Sequence, residues 1–397
     1  MRSLHKNKIA FVIPWFGEDI PGGAETLLRE LVMHLKEHLE IEILTTCVKE
    51  FLSDWNVNHW KEGTYQECGI TVRRFEVRQR YTAGFDGINA KLIRGEKITE
   101  EEERTFMKES VRSEHLIEYV IAHQEEYDRI ICIPYMFGTT YDTILAVGEK
   151  SALVSCFHDE SYAHMKVFKE MVVKTGMIFF NAQSEKRLAE KIFGADKKYK
   201  VVGVGVNTDL KYEKGAFAKK YKIPGSFILY TGRKDTTKNT PELVEFFNRY
   251  QRESQSDLHL VLIGPSSVPL PANDHIVDLG FVTPEDKYNA MADALCVCQP
   301  SLNESFSIVM MEGFLCGTPA LVNEKCEVTK DHALESNGGL VYHDYYTLYE
   351  CVEYLLTYVA TAHEMGKNGR SYVLKHYTWP IVTAAYLEAL TTSLHNG

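Results

Sequence analysis

Cysteine is scarce in this 397-residue chain: nine residues, an odd number, with none of the spacings that hold zinc. Only Cys296 and Cys298 lie close together, and a lone CxC pair is weak support for a metal or a disulfide framework. Free thiols in a reducing cytoplasm are the expectation. Long apolar runs are missing as well. The longest stretch without a formal charge, 258–273, is broken by Pro265, Pro269 and Pro271 and falls short of the roughly 20 apolar residues that a membrane span requires. The opening MRSLHKNK followed by IAFVIPWF imitates a secretory signal, but the apolar run meets Gly17, Glu18 and Asp19 and has no small-residue cleavage site. It reads as a first strand. Positive charge is in deficit too, with 44 basic against 55 acidic residues and a net charge of −11. That excludes a surface built to neutralise a nucleic-acid backbone, while one anionic small molecule still needs only a few local cations. With 26 glycines, 12 prolines and 45% hydrophobic residues, the chain is neither collagen-like, low-complexity nor disordered.

At roughly 150 residues per domain the length makes about two domains, each large enough to bury a core. Short β-branched or aromatic runs alternate with amphipathic segments of helical length, the pattern of parallel βαβ construction and an α/β fold class. The expected strands of the first half are 8–14, 41–46, 128–134, 152–157, 176–181 and 199–204, with helices over 24–37 and 113–126. The second half repeats the scheme, with strands near 226–231, 258–264, 275–279, 295–299, 319–322 and 340–343. Between the halves, 207–224 is polar, basic and short of aliphatic residues, and reads as a linker. A cleft between domains is then the expected ligand site. Residues 47–112 fit the alternation poorly. They carry Trp55, Trp60, Tyr65, Tyr81 and Phe85 and then the charged ITEEEERTFMKES, and read as an insertion that either covers the first core or offers an acceptor-binding surface.

Four segments hold residues suited to chemistry. In PGGAE, Gly22 and Gly23 lack Cβ atoms, so backbone N–H groups can approach a phosphate at a helix N-terminus; the same pair also suffices for a plain strand-to-helix turn. In GRKDTTKN, Arg233 and Lys238 lie in a loop between a strand and a helix beginning near Thr240. Two cations and a helix N-terminus stabilise a diphosphate leaving group most as its bond to carbon breaks. A solvated loop with ordinary surface charges is the plainer reading of that segment alone. The third and strongest segment is PSLNESFSIVMMEGFLCGTPALV, in which Glu304 and Glu312 are eight positions apart. Were 305–316 a helix, eight positions would give about 800° of rotation and ~12 Å of rise, placing both carboxylates towards one side. Carboxylates accept from paired hydroxyls, and N–H groups near Ser305, Phe306 and Ser307 suit phosphate or sugar oxygens. A salt-bridged core glutamate is the alternative for Glu312. The fourth segment places His158, Asp159, Glu160 and Tyr162 after the apolar run 152–157, where parallel sheets put their ligands. A metal cluster is the rival there, but no HExxH or Cys/His spacing accompanies it.

Two α/β halves, PGGAE, GRKDTTKN and the paired glutamates of ESFSIVMMEGFLCGTPALV together resemble the retaining GT-B glycosyltransferases of the family 4 type, over nearly the whole chain. The resemblance implies two Rossmann-like parallel-sheet domains facing an interdomain cleft. Residues 1–207 would bind the acceptor, with the insertion at about 47–112. Residues 208–375 would bind the nucleotide sugar, and 376–397 would form a helix crossing back to the first domain. By the same resemblance His158, Glu304, Arg233 and Lys238 are catalytic: Arg233 and Lys238 on the diphosphate beside Gly22 and Gly23, Glu304 on the donor sugar's hydroxyls, His158 on the transferred sugar. Glu312 would take the ribose hydroxyls, Ser305, Phe306 and Ser307 would line the donor, and Phe281 or Val282 would offer backbone groups to the base. The family commonly has Gly where this chain has Ser307 and Asn239, and a Gly-x-Gly turn where Pro265 follows Gly264.

The implied reaction moves a hexose from a UDP-, GDP- or dTDP-linked sugar to a hydroxyl of a glycan, glycolipid or polysaccharide precursor. It proceeds with retention, without metal or cofactor and without nucleic acid as a partner. The expected location is the cytoplasm, and Arg73, Arg74, Arg78 and Arg80 suggest peripheral contact with anionic lipid at the inner membrane face. Two other readings stand beside this one: a catalytically silent GT-B partner subunit and a sugar-nucleotide epimerase.

Overall fold

A computed structural model describes residues 7–196, 198–271 and 273–394. The chain divides into two units, Met1–Gly203 with Thr383–Gly397, and Val204–Val382. The first holds eight strands: β1 (Lys8–Val12), β2 (Glu40–Thr46), β3 (Gly63–Glu67), β4 (Ile70–Phe75), β5 (Arg129–Cys132), β6 (Ser151–Val154), β7 (Met177–Phe180) and β8 (Tyr199–Val201). Their order is β3-β4-β2-β1-β5-β6-β7-β8. All neighbours pair in parallel except β3 on β4. The inner strands are almost wholly buried. Unbroken apolar runs such as MIFF are what strands covered by helices on both faces require.

The second unit has six strands: β9 (Phe227–Thr231), β10 (His259–Ile263), β11 (Ile276–Gly280), β12 (Cys296–Gln299), β13 (Ala320–Asn323) and β14 (Gly339–Tyr342). They run in the order β11-β10-β9-β12-β13-β14, all in parallel. In each sheet the winding reverses once, between β1 and β5 in the first unit and between β9 and β12 in the second. Adjacent loops diverge at such a point and leave a crevice at the carboxyl ends of the strands, where open α/β sheets bind ligands.

Every strand expected from the sequence is present, within a few residues at each end. The insertion is where the reading needs correction: β3 and β4 were not anticipated, and they extend the first sheet rather than stand apart from it. β3 reads GTYQE and is largely exposed, so it carries no apolar signal. The insertion's aromatic residues do cover the core. Trp55 lies 5.7 Å from Trp15 and 5.4 Å from Phe85, which stacks on Phe106 at 4.6 Å.

The four arginines do not form the lipid-facing patch expected of them. Arg74 is fully buried, donates to the Phe16 carbonyl at 2.8 Å and stacks over Trp60. Arg73 pairs with Glu42, Arg78 donates to the Lys108 carbonyl, and Arg80 lies over Trp55 while donating to the Glu109 carbonyl. Arg73 and Arg74 tie the insertion to Glu42 and Phe16 outside it, while Arg78 and Arg80 brace the insertion from within. No described helix is long and apolar enough to cross a membrane.

Part of the expected linker is folded, because Ala216–Tyr221 is helical with Phe217 fully buried. The helix Trp379–Leu394 forms as the sequence suggests. Trp379 donates to the Asn207 side chain at 3.1 Å, and Tyr386 packs 5.0 Å from Phe179 in the first unit. All nine cysteines are free thiols.

Candidate active site

The loop after β9 meets the loop after β12 at the reversal point of the second sheet. Residues 232–239 are fastened on both sides. On one, Lys234 is buried and paired with Asp278 of β11, while its N–H donates to the Pro265 carbonyl at 2.8 Å. The fit beneath is tight: at Gly264 (φ 120°) a Cβ would lie 2.1 Å from the Gly232 carbonyl oxygen, so no side chain is tolerated. On the other side, Asn239 donates to the Pro300 carbonyl at 3.2 Å and Lys238 Nζ donates to Glu304 Oε1 at 2.6 Å. Asp235 shapes the loop from within, accepting from the Thr237 hydroxyl at 2.6 Å and the Lys238 N–H at 2.8 Å. Burial alone would raise the Asp235 carboxyl, but these two donors and the nearby cations outweigh it and hold it below its ordinary range. Arg233 projects outward. Its guanidinium is 3.5 Å from Asp235 and half exposed, a cation free to meet an anion arriving from solvent.

Glu304 and Glu312 reach the site by different routes. The helix is Ile308–Leu315, so the expectation of a helix over 305–316 is corrected: Glu304 lies in the preceding loop and only Glu312 is helix-borne. Ser307 sits at φ 70°, ψ 73°, in left-handed backbone that ends the loop and caps the helix. Asn239, which caps the helix Thr240–Ser254, has φ 55°. Both positions where the resembled family has Gly are thus left-handed here too. Asn tolerates that region well and Ser less so.

Glu312 is held by two groups the sequence did not point to. Lys287 Nζ donates to Oε1 at 2.6 Å and the Tyr288 hydroxyl donates to the same atom at 3.2 Å. The alternative of a salt-bridged core glutamate is therefore half right, because Oε2 is buried and has no hydrogen-bond partner. A buried acceptor left open at a ligand-binding edge calls for a hydroxyl or N–H from outside the chain. Lys287 and Tyr288 come from the helix Pro284–Asp293, and only its packing against Ile308–Leu315 brings them into view.

The remaining donor residues fall less evenly. Ser305 is half-buried beside Glu304. Phe306 is a core residue, edge-on to His332 at 5.3 Å and to Tyr377 at 4.9 Å, and so anchors the loop rather than lining a ligand. Phe281 is 81% exposed and Val282 half-buried, both just past β11 on the carboxyl edge.

In the first unit, Gly22 caps the helix Gly23–Leu35 after β1, and His158 follows β6. The helix start at Gly22 is not vacant. Glu25 folds back into it, so that a Cβ on Gly22 would lie 1.9 Å from Glu25 Oε2, and Trp15 donates to the other oxygen. Burial raises the pKa of Glu25. Gly23 has open space where its Cβ would be. In the cluster after β6, His158 Nδ1 is 3.4 Å from Glu160, Asp159 pairs with His164 at 2.8 Å, and the Tyr162 hydroxyl donates to Asn89 at 2.6 Å.

Residues 213–372 match the family model described as glycosyl transferases group 1. No curated protein sequence matches the chain. Among solved structures, sucrose-phosphate synthase from Thermosynechococcus elongatus is similar over 98% of this chain and 100% of its own, at 16% identity and a TM-score of 0.71. HepE from Anabaena, in complex with UDP and glucose, is similar over 97% and 100%, at 15% identity and a TM-score of 0.69. WaaG, a glycosyltransferase involved in lipopolysaccharide biosynthesis, is similar over 96% and 99%, at 13% identity and a TM-score of 0.65. Two parallel-dominated sheets with this likeness make the GT-B fold. Residues 213–372, which match the glycosyl transferases group 1 model, contain Arg233, Lys238, Glu304 and Glu312.

Proposed function

We propose that the chain is a retaining, metal-independent hexosyltransferase of the family 4 type. It would use a nucleotide-diphosphate sugar and a hydroxyl acceptor on a glycan, glycolipid or polysaccharide precursor. The observation that carries this reading is the Lys238–Glu304 pair at 2.6 Å, which sets a cation and a hydroxyl acceptor side by side at the reversal point of the second sheet. A nucleotide sugar carries both chemistries in sequence, diphosphate and then sugar. Glu312, whose Oε2 is open, is the acceptor for the ribose hydroxyls. Arg233 and Lys238 neutralise the diphosphate, most strongly as it departs. The backbone past β11 at Phe281 and Val282 meets the base. His158 hydrogen-bonds the transferred sugar.

Chemistry follows from the charge inventory. Cations serve the leaving group, but no carboxylate stands out as a nucleophile. The C1–O bond to phosphate breaks and the C1–O bond to the acceptor forms on the same face, while the acceptor's proton passes to the departing β-phosphate oxygen. UDP is the first nucleotide to test, since the similar HepE was solved with UDP and glucose. A glycolipid acceptor is the first to try, given the likeness to WaaG. A thermal-shift panel of UDP-, GDP- and dTDP-sugars tests the reading. A midpoint rise with one nucleotide, lost in Arg233→Ala, is expected. No rise with any of the three overturns the donor site, and isomerised sugar from donor alone points to an epimerase.

A further inference from the structure

One buried carboxylate has no part in the site described above. Glu185 is 1% exposed, in the first turn of the helix Gln183–Phe193 that follows β7. Its Oε1 accepts from the Ser155 hydroxyl at 2.7 Å and the Phe157 N–H at 2.6 Å, both in the loop after β6. Its Oε2 accepts from the Asn181 N–H at 2.6 Å, at the end of β7. A single carboxylate thus ties the carboxyl ends of two neighbouring strands. Between its two contacts on the β6 side, Cys156 is held at φ 56°, a left-handed conformation rare outside Gly, Asn and Asp. Its thiol accepts from the Asn181 amide at 3.6 Å. The residue that leaves this turn is His158.

We propose that Glu185 is a positioning residue for His158, clamping the left-handed turn that aims the imidazole at the transferred sugar; this rests on the hexosyltransferase reading above. Only a carboxylate fits the donors. Its two oxygens accept three of them, whereas a glutamine has one acceptor oxygen and must leave a donor unmet. Nor is the carboxylate there for stability. All three donors are neutral, and burial pushes the carboxyl up to about 7. The other titratable groups facing it are Cys156 and His158 from the β6 loop and Tyr386 from the last helix. A group kept where its charged form is disfavoured, beside a strained backbone position, is the signature of a site that trades stability for geometry.

The experiment compares wild type, Glu185→Gln, His158→Ala and the double variant, with UDP-glucose as the first donor. Readouts are kcat, UDP affinity and the imidazole NMR signals of His158. Glu185→Gln is expected to shift the His158 signals, to leave UDP affinity within about twofold, and to lower kcat by about tenfold or more, the scale of a small misplacement. The double variant should be no slower than His158→Ala alone. Unchanged His158 signals in Glu185→Gln overturn the proposal, and so does a double variant slowed by the product of the two single effects. Ser155→Ala, which removes one donor and keeps the carboxylate, should move the same signals by less, and guards against a Glu185 variant that does not fold. Absence of transfer and of UDP binding in wild type would count against the hexosyltransferase reading, leaving the NMR comparison to decide the positioning claim.

Discussion

Replacing Lys238 with Met separates the two tasks proposed for its ammonium, holding Glu304 and stabilising the leaving group. At 2.6 Å from Glu304 the gross Coulomb attraction is about 6 kcal/mol at an effective dielectric of about 20, most of it cancelled by desolvation. The side chains are 29% and 14% exposed, between the surface case, worth under about 1 kcal/mol, and the buried case, in which removing one partner costs about 3–5 kcal/mol. Lys238→Met should therefore destabilise by about 1–3 kcal/mol, because Glu304 is left half-buried without its cation. Glu304→Gln should cost less, since the freed ammonium can turn to water. Catalysis separates from this. One donor to developing charge on a leaving group is worth about 10²–10³ in rate. Adding Glu304→Gln to Lys238→Met should restore most of the melting temperature and none of that rate. Thermal melts alongside turnover of the stabilising nucleotide sugar measure both. A double variant turning over within a few-fold of Glu304→Gln would refute the leaving-group role, because Lys238 would then act only by placing Glu304.

Ser307→Gly should raise stability by up to about 1 kcal/mol in urea melts, the left-handed strain of about 1–2 kcal/mol being partly offset by the freer unfolded chain; a loss would mean the serine side chain does more than occupy the turn. Gly22→Ala should cost about 1–3 kcal/mol, since φ 143° disfavours any side chain and the new Cβ meets Glu25, with a measurable fall in melting temperature. His332 is buried with its pKa lowered to about 3 by desolvation, so the unfolded chain protonates first and stability is lost as pH falls below 6.5. The loss from this group is about 3 kcal/mol by pH 4, and His332→Gln should flatten the acid limb of a pH-stability curve by that amount. Glu185 carries the opposite sign. With its folded pKa raised to about 7, the native state holds the proton more tightly and stability falls as pH rises from about 4.5 to 7. Glu185→Gln should match wild type in melts near pH 4.5 and exceed it by up to about 3 kcal/mol at pH 8.

What the sequence discloses follows from what burial imposes on it. Central parallel strands are covered on both faces, so MIFF, SALV and FILYT are unbroken apolar words with little room for another reading. The polar edge escapes notice because β3 has almost nothing to bury. Arg73, Arg74, Arg78 and Arg80 look like a basic face in one dimension, and only the fold supplies the carboxylate, carbonyls and rings that absorb them. Lys287 and Glu185 were invisible for a related reason. Each acts across elements remote in sequence, and neither lies in a segment whose local composition is unusual.

The paired glutamates show how a spacing can point to the right residues by an argument that does not apply. Eight positions of continuous helix would align Glu304 with Glu312 by phase, yet the left-handed Ser307 interrupts the path and resets the chain direction. Glu304 is aimed by a cation from another loop, and Glu312 by a lysine and a tyrosine from another helix. Periodicity extended the helix too far because Phe306 looks like one more apolar helical position. In the fold its ring is fixed by His332 and Tyr377, and that contact holds the loop in place. The segment therefore works as a loop pinned by an aromatic peg, a left-handed turn, and a helix carrying the second carboxylate. Lengthening the helix by one turn at its start, by replacing Ser307 with Ala, should not recover a better site. Ala cannot adopt the turn more easily than Ser, and the route from Lys238 to Glu304 depends on the loop remaining a loop.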